Sequence, residues 1–402
     1  MRAVVDYQDD RIEFEIAEDR LVASFQGPSD VLEADRVSTI VDALNRPLEF
    51  PPVSRMFVPG DRIAIALDSR TPDARSALLA LVPVVREAIG DSGEIIIVQA
   101  PGDGPSLASE APAGTRIVVH DPNDQTELAY LASTKEGRRI YLNRHLVDAD
   151  AVIPIGELRH DPFVGYRGPW NALFPALSDA ATRNDYRSLA PGTPGQPADA
   201  NARLGESFEV SWLLGAQFFL GFVPGCSGFA EVIAGIGSAV RDQGIKRLEQ
   251  TWTFRADSRA DLVVAGIGRP GLETGLEELA AGITAAAGLV QHGGKIAILS
   301  HARGGPGPAL KRLIEAGDPR RGTAALKSAE RDEDYAIALR LNRAMAWADL
   351  YLLSDLDSQM VEDLSAFPLE RADAVNRLVA VSRSCTFLSQ ADLARVGLAD
   401  ES

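Results

Sequence analysis

The residues best suited to chemistry crowd into one stretch. Gly156-Glu-Leu-Arg-His-Asp-Pro-Phe-Val-Gly-Tyr-Arg-Gly-Pro-Trp-Asn-Ala-Leu-Phe-Pro175 is followed by Asp179, Arg183, Asp185 and Arg187. His160 beside Asp161 puts an imidazole next to a carboxylate, a combination that can move protons. Arg167 and Arg187 carry planar guanidinium groups that fork onto a carboxylate, and Tyr166 and Asn171 add hydrogen-bonding groups. Gly156, Gly165 and Gly168 allow close approach of the backbone. Such a density of polar groups exceeds what a purely structural loop needs.

Other segments carry weaker signals. In Ser300-His-Ala-Arg-Gly-Gly-Pro-Gly307, His301 and Arg303 follow an apolar strand, on the edge where open α/β sheets bind ligands. Arg303 reads equally as a carboxylate clamp or a solvated surface arginine, and His301 alone reads as structural. In Asp68-Ser-Arg-Thr-Pro-Asp73, Thr71 or Ser69 is expected to cap a helix, with Pro72 in its first turn and Arg70 as a minor candidate anion clamp. Gly266-Ile-Gly-Arg-Pro-Gly271 matches G-x-G-x-x-G, but the next strand ends in Ser300 and His301 rather than in an acid, which favours an ordinary glycine-rich turn over a dinucleotide site. Cys226 lies in a glycine-rich turn with no histidine near it in sequence, so it reads as a turn or buried cysteine rather than a nucleophile.

The elements that must position these residues follow a βαβ order. Arg62–Leu67 is a short apolar strand, Ala74–Ile89 has helical spacing, and Glu94–Val98 is the next strand. Arg116–Val119, Arg139–Leu142 and Ala151–Ile155 read as further strands of a doubly wound sheet. The opening residues to Phe25 suit an edge hairpin, and Phe218–Val223 with Phe229–Ala234 suit another. Leu189–Ala202, with its prolines, reads as an exposed loop or lid. A helix over Ser238–Gln250 leads to a second βαβ series: Asp261–Ala265, a helix over Leu276–Val290, Lys295–Leu299, a helix over Ala309–Glu315, and Trp347–Leu353. The fold class is therefore α/β, with two doubly wound domains of mainly parallel sheets, residues 1–255 and 256–402, the last residues having the option of packing back on the first domain.

Composition narrows the partners. The 402 residues are 46% hydrophobic and carry a formal charge of −17, which disfavours nucleic acid and anionic membranes. Arg2, Asp6, Asp9, Asp10 and Arg11 break up any apolar core of a leader peptide, and only two cysteines occur, so a reducing cytoplasm is expected. A homo-oligomer stays open.

Taken in order, Asp68-Ser-Arg-Thr-Pro72, Val118-Val-His-Asp-Pro122, Ile140-Tyr-Leu-Asn-Arg144, Ala149-Asp-Ala-Val-Ile-Pro-Ile-Gly156, Phe163-Val-Gly-Tyr-Arg-Gly168 and Leu173-Phe-Pro-Ala-Leu-Ser178 with Thr182 resemble the nickel-pincer lactate racemase family. A fainter similarity continues through Gly268 to Gly307. The resemblance implies a two-domain α/β protein with its site in an interdomain cleft. It also implies a nicotinate-derived nickel pincer tethered to a lysine, which takes hydride from C2 of a 2-hydroxy acid and returns it to either face. Two histidines would move the hydroxyl proton and a third would ligate the metal.

Carried across, the tethering lysine falls on Asn171 and the metal-ligating histidine on Arg187. The acid/base histidines fall on Asp103 and on Asp161 beside His160, and the carboxylate-holding arginine falls on Thr71 beside Arg70. An amide cannot make the tether and a guanidinium cannot ligate nickel. No covalently attached cofactor and no metal site are therefore expected, and whether an untethered cofactor remains is open. The expected ligand is a small 2-hydroxy or sugar acid. His160, Asp161 and Asp103 are the candidates for proton transfer, and Arg70, Thr71, Tyr166, Arg167, Asn171, Arg187, His301 and Arg303 for binding. Two outcomes are compatible with these residues: racemisation or epimerisation of the acid, or a binding or assembly role that kept the fold and lost the chemistry.

Overall fold

The structure is a computed structural model that describes residues 1–102, 111–161, 165–188 and 197–400. The chain divides into two compact units. A central unit holds Pro28–Arg183 and Gly192–Gln250, and a terminal unit holds Met1–Gly27, Asn184–Pro191 and Thr251–Ser402. Each has its own six-stranded sheet.

In the central unit the sheet order is Phe229–Gly235, Phe219–Pro224, Ala151–Glu157, Arg62–Leu67, Glu94–Gln99, Arg116–Val119. The Phe219–Pro224 and Phe229–Gly235 hairpin is antiparallel and every other pairing is parallel. The parallel strands are buried apolar runs because both faces are covered. Helix Ala74–Ile89 lays Leu78, Leu81, Val82, Val85 and Ile89 into this core at helical spacing. Its cap is Asp73, not Thr71 or Ser69: Asp73 sits in the left-handed region at φ 49° and its carboxylate accepts the Ser76 N–H at 3.2 Å. Pro72 lies one residue ahead of that cap, outside the first turn.

Two other expectations change here. Arg139–Asn143 is a strand, but it pairs antiparallel with Leu128–Ser133 in a separate two-stranded ribbon. Its burial alternates, as suits a ribbon with one wet face, whereas the sheet strands are buried throughout. In place of a loop through residue 202, a helix runs over Pro197–Leu213. Proline at a first helical position loses no needed N–H, so the proline at 197 starts the helix instead of preventing it.

In the terminal unit the order is Phe367–Pro368, Asp349–Leu353, Val290–Leu299, Ala260–Gly266, Cys385–Leu388, Leu21–Phe25, all parallel. Side chains alternate between faces: Val263, Ala265, Ile296 and Ile298 meet helices Leu276–Leu289 and Tyr335–Trp347. Leu262, Val264, Ala297 and Leu299 meet Val375 and Val379 of helix Asp373–Val381 and Val5 and Phe14 of the antiparallel hairpin Arg2–Tyr7 and Asp10–Glu15. The opening 27 residues thus build the terminal unit, and the last strand, Arg395–Leu398, pairs with Thr253–Ala256 in the same unit. Among the described residues no helix is long and apolar enough to cross a membrane.

Candidate functional site

The central sheet presents the C-terminal ends of two adjacent parallel strands, Arg62–Leu67 and Ala151–Glu157. The first polar residue beyond the earlier strand is Asp68, whose N–H donates to the Ile155 carbonyl at 3.0 Å and continues the ladder. Opposite it stands Gly156, where a Cβ would lie 2.9 Å from the Pro169 Cα and 3.4 Å from the Asp68 Cβ. Only a glycine lets this strand approach the helix Pro169–Leu173 so closely. Glu157 follows, 1% exposed.

The Asp68-Ser-Arg-Thr turn folds back on itself. Asp68 Oδ1 accepts the Arg70 N–H at 3.1 Å, and the Thr71 hydroxyl donates to the Asp68 carbonyl at 2.8 Å. Arg70 is 8% exposed and Thr71 is buried. Burial pushes the Asp68 carboxyl above its usual range; the Arg70 N–H and the Arg159 and Arg70 charges oppose this, and Glu157 adds to it. Asp68 and Glu157 are site residues that motif reading passed over. The available signal was position: each is the first acid after an apolar strand.

Strands Arg159–Asp161 and Gly165–Arg167 form a short antiparallel hairpin with Arg159 opposite Arg167, His160 opposite Tyr166 and Asp161 opposite Gly165. Alternation puts Arg159, Asp161 and Arg167 on one face and His160 and Tyr166 on the other. Two arginines facing each other across a ribbon repel, and Asp161 relieves this by pairing with Arg167, Nε to Oδ2 at 2.7 Å. Asp161 is 5% exposed. On the other face the His160 and Tyr166 rings meet edge to face at 5.6 Å, and the Tyr166 hydroxyl donates to Glu249 at 3.3 Å.

Asn171 has a local task. Its Oδ1 accepts the Gly168 N–H at 3.1 Å, and its Nδ2 donates to the Ser207 hydroxyl at 3.4 Å, which in turn donates to the Phe174 carbonyl at 3.1 Å. The amide therefore fixes the start of the 169–173 helix against the 197–213 helix. Asp179 caps the next helix, accepting the Thr182 N–H and hydroxyl at 2.9 and 2.7 Å. Asp103 and the side chain of Arg187 lie outside the described residues.

Nearby, His120 is 2% exposed and neutral: burial lowers its pKa. Its Nε2 lies 2.9 Å from the Ser178 carbonyl and its Nδ1 3.2 Å from Asn143 Nδ2, which fixes the tautomer with the proton on Nε2.

In the terminal unit His301 and Arg303 are engaged together. His301 Nε2 lies 2.8 Å from Asp10 and Nδ1 3.4 Å from Asp355, while Arg303 grips the other Asp355 oxygen through Nε and Nη2 at 3.0 and 2.7 Å. Burial works to lower the His301 pKa, but its hydrogen bonds to Asp10 and Asp355 raise it on balance. The Gly266–Gly271 turn is filled by its own chain. A Cβ at Gly266 would strike the Asp6 carbonyl and one at Gly268 the Thr274 hydroxyl, and the Gly268 N–H donates to Asp392 at 3.1 Å. Glu277 and Glu278 in the first turn of the following helix oppose an anion there. Cys385 is buried with its thiol pushed up to about 11, and the Cys226 thiol donates to the Pro28 carbonyl at 3.4 Å.

A parallel-sheet α/β protein of two units, with arginines and carboxylates gathered at the strand ends of one of them, is the class that these features define. A family model for the lactate racemase N-terminal domain matches residues 7–189. The structure is similar to the lactate racemase apoprotein from Thermoanaerobacterium thermosaccharolyticum, with a TM-score of 0.81 and 17% identity over 98% of this chain and 100% of that one. It is also similar to the crystal structure of a Thermotoga maritima protein, with a TM-score of 0.64 and 14% identity over 92% of this chain and 100% of that one. No curated protein sequence matches the chain. The family match covers residues 7–189, and the structural likeness extends the lactate racemase fold over nearly the whole chain.

The lysine-tethered nickel pincer that the sequence resemblance implies does not fit these residues. The amide that stands at the tether position, Asn171, is committed to Gly168 and Ser207. Among the described residues no group of three or more His, Cys, Asp or Glu side chains is arranged to hold a metal ion.

Proposed function

We propose that the chain binds a small 2-hydroxy or sugar acid at the strand ends of the central unit. The observation that carries this reading is the gathering of Arg70, Arg159 and Arg167 around Asp68, Glu157 and Asp161. Arg70 supplies the fork for the ligand carboxylate, and Thr71 lies in the same turn.

A second reading is favoured by the Asp68 pKa. A carboxyl that burial raises above its usual range, beside Arg70 and Arg159, can return a proton to a carbanion, with a second group across C2 as the base. In that reaction the C2–H bond breaks, the proton passes to the base, the electron pair delocalises into the ligand carboxylate, and a proton returned to the opposite face inverts C2.

A thermal-shift series with lactate, malate, glycerate and aldonic acids, paired with NMR of each acid in D2O, separates the readings. Ligand at roughly a hundred times its dissociation constant adds about 2.7 kcal/mol, and Arg70→Lys, which lacks the fork, should lose the shift. A shift without C2 deuteration leaves acid binding alone, and deuteration accompanied by inversion at C2 establishes the isomerase. If no acid stabilises the protein, the proposal fails.

A further inference from the structure

We propose that His301 is a pH-operated latch, closed when protonated, that holds the tip of the Arg2–Tyr7 and Asp10–Glu15 hairpin against the loop following strand Val290–Leu299. This does not depend on the acid-binding reading. Among the described residues, Asp10, Asp355 and Tyr7 face the imidazole. Asp10, the first residue of the second hairpin strand, lies at 2.8 Å, and Asp355, from the loop after strand Asp349–Leu353, at 3.4 Å. Tyr7 stacks on the ring with centroids 5.6 Å apart and planes 21° apart, and Arg303, on the same loop as His301, acts through Asp355.

The chemistry of imidazole makes the arrangement two-state. Both ring nitrogens face carboxylate oxygens, which can only accept, so both contacts are hydrogen bonds only in the doubly protonated ring. Neutral imidazole has one N–H, and the remaining nitrogen turns a lone pair toward a carboxylate. Asp355 is anchored whatever the state of the ring, because Arg303 grips it with two hydrogen bonds. Asp10 has no other salt-bridge partner among the described residues, and it stands directly after the two-residue hairpin turn. Deprotonation therefore removes the cation that holds the tip. The neighbouring Gln8 N–H donates to the Gly268 carbonyl at 3.2 Å, so its amide reports whether the tip is seated.

The test is an NMR titration of the His301 ring alongside hydrogen exchange at the Gln8 amide, expressed as protection relative to the intrinsic rate at each pH. His301 should titrate above the ordinary histidine value of about 6.5. Gln8 protection should fall severalfold over the same pH interval. Asp10→Asn should lower the His301 pKa, and His301→Gln should make Gln8 protection independent of pH. Gln8 protection that shows no step where His301 titrates, or a His301 pKa that Asp10→Asn leaves unmoved, overturns the latch. If a variant misfolds, the coincidence of the two titrations in the parent protein decides.

Discussion

Asp161 and Arg167 lie diagonally across the 159–167 hairpin, with carboxylate and Nε 2.7 Å apart, and Asp161 is the position on which the family resemblance places an acid/base histidine. At that position this chain has an anchored ion pair. Arg167 is 31% exposed at its side chain and Asp161 only 6%, so solvent screens the pair only in part.

A double-mutant cycle of Arg167→Ala and Asp161→Asn should give a coupling energy of about 1 kcal/mol, the upper end for an ion pair whose arginine is partly wet. Denaturant unfolding of the four proteins measures it. A coupling near zero would make the contact incidental.

The commitment of Asn171 leads to a second expectation. Co-expressed with enzymes that make the nickel pincer, the purified chain should carry no covalent adduct by intact mass and no stoichiometric nickel by metal analysis. Asn171→Lys should lower stability by about 1 kcal/mol through loss of the Gly168 hydrogen bond. An adduct on the parent chain would sink this account of Asn171.

Much of the architecture was legible because buried parallel strands are continuous apolar runs. Arg62–Leu67 was read with its observed bounds, and Glu94–Val98, Ala151–Ile155 and Asp261–Ala265 to within two residues. The Pro28–Gly228 neighbourhood illustrates what was not. Asp30 accepts N–H bonds from Ser227 and Gly228, 197 and 198 residues away, and no local pattern signals such a contact. The same holds for Asp10 and His301, 291 residues apart, whose meeting depends on the opening hairpin joining the terminal sheet. Asp73 escaped notice as a cap because it needs a left-handed backbone that sequence marks only weakly. The polar segment 156–171 stood out by composition, but the bonds that engage Asn171 and Asp161 depend on Ser207 and on hairpin register.

His120 gives a pH dependence with a definite sign. Its folded pKa lies below the unfolded value, so between the two the unfolded chain binds more protons and stability rises with pH. The contribution is complete above the unfolded pKa and is lost as pH falls through it toward the folded one. His145 acts in the same direction, its pKa lowered by burial and by Arg116 and Arg62. His301 acts oppositely, stabilising when protonated and losing that contribution as pH rises through its folded pKa. His120→Gln, which keeps a donor for Ser178, should flatten the loss of melting temperature between neutral and mildly acidic pH. An unchanged slope would mean that His120 does not govern that loss.

Asp68 provides the most direct test of the partly buried carboxyl at the strand end. Its folded pKa is raised, so the neutral form is favoured in the fold: its contribution is present below the unfolded pKa and is lost as pH rises through the folded one. At neutral pH the ionised carboxyl is therefore disfavoured in the folded chain, despite Arg70 and Arg159. Asparagine keeps an Oδ1 that can accept the Arg70 N–H and removes the ionisable group. Asp68→Asn should raise the melting temperature at neutral pH and leave it nearly unchanged in acid, where the parent carboxyl is already neutral. The gap between variant and parent should close as pH falls through the Asp68 pKa. The same substitution should abolish any C2 deuteration of a bound acid, because an amide cannot supply the proton, while leaving the ligand-induced thermal shift in place. If Asp68→Asn instead destabilises at neutral pH, Asp68 is an ionised counter-charge to Arg70 and Arg159, and its place as the proton-holding group is lost.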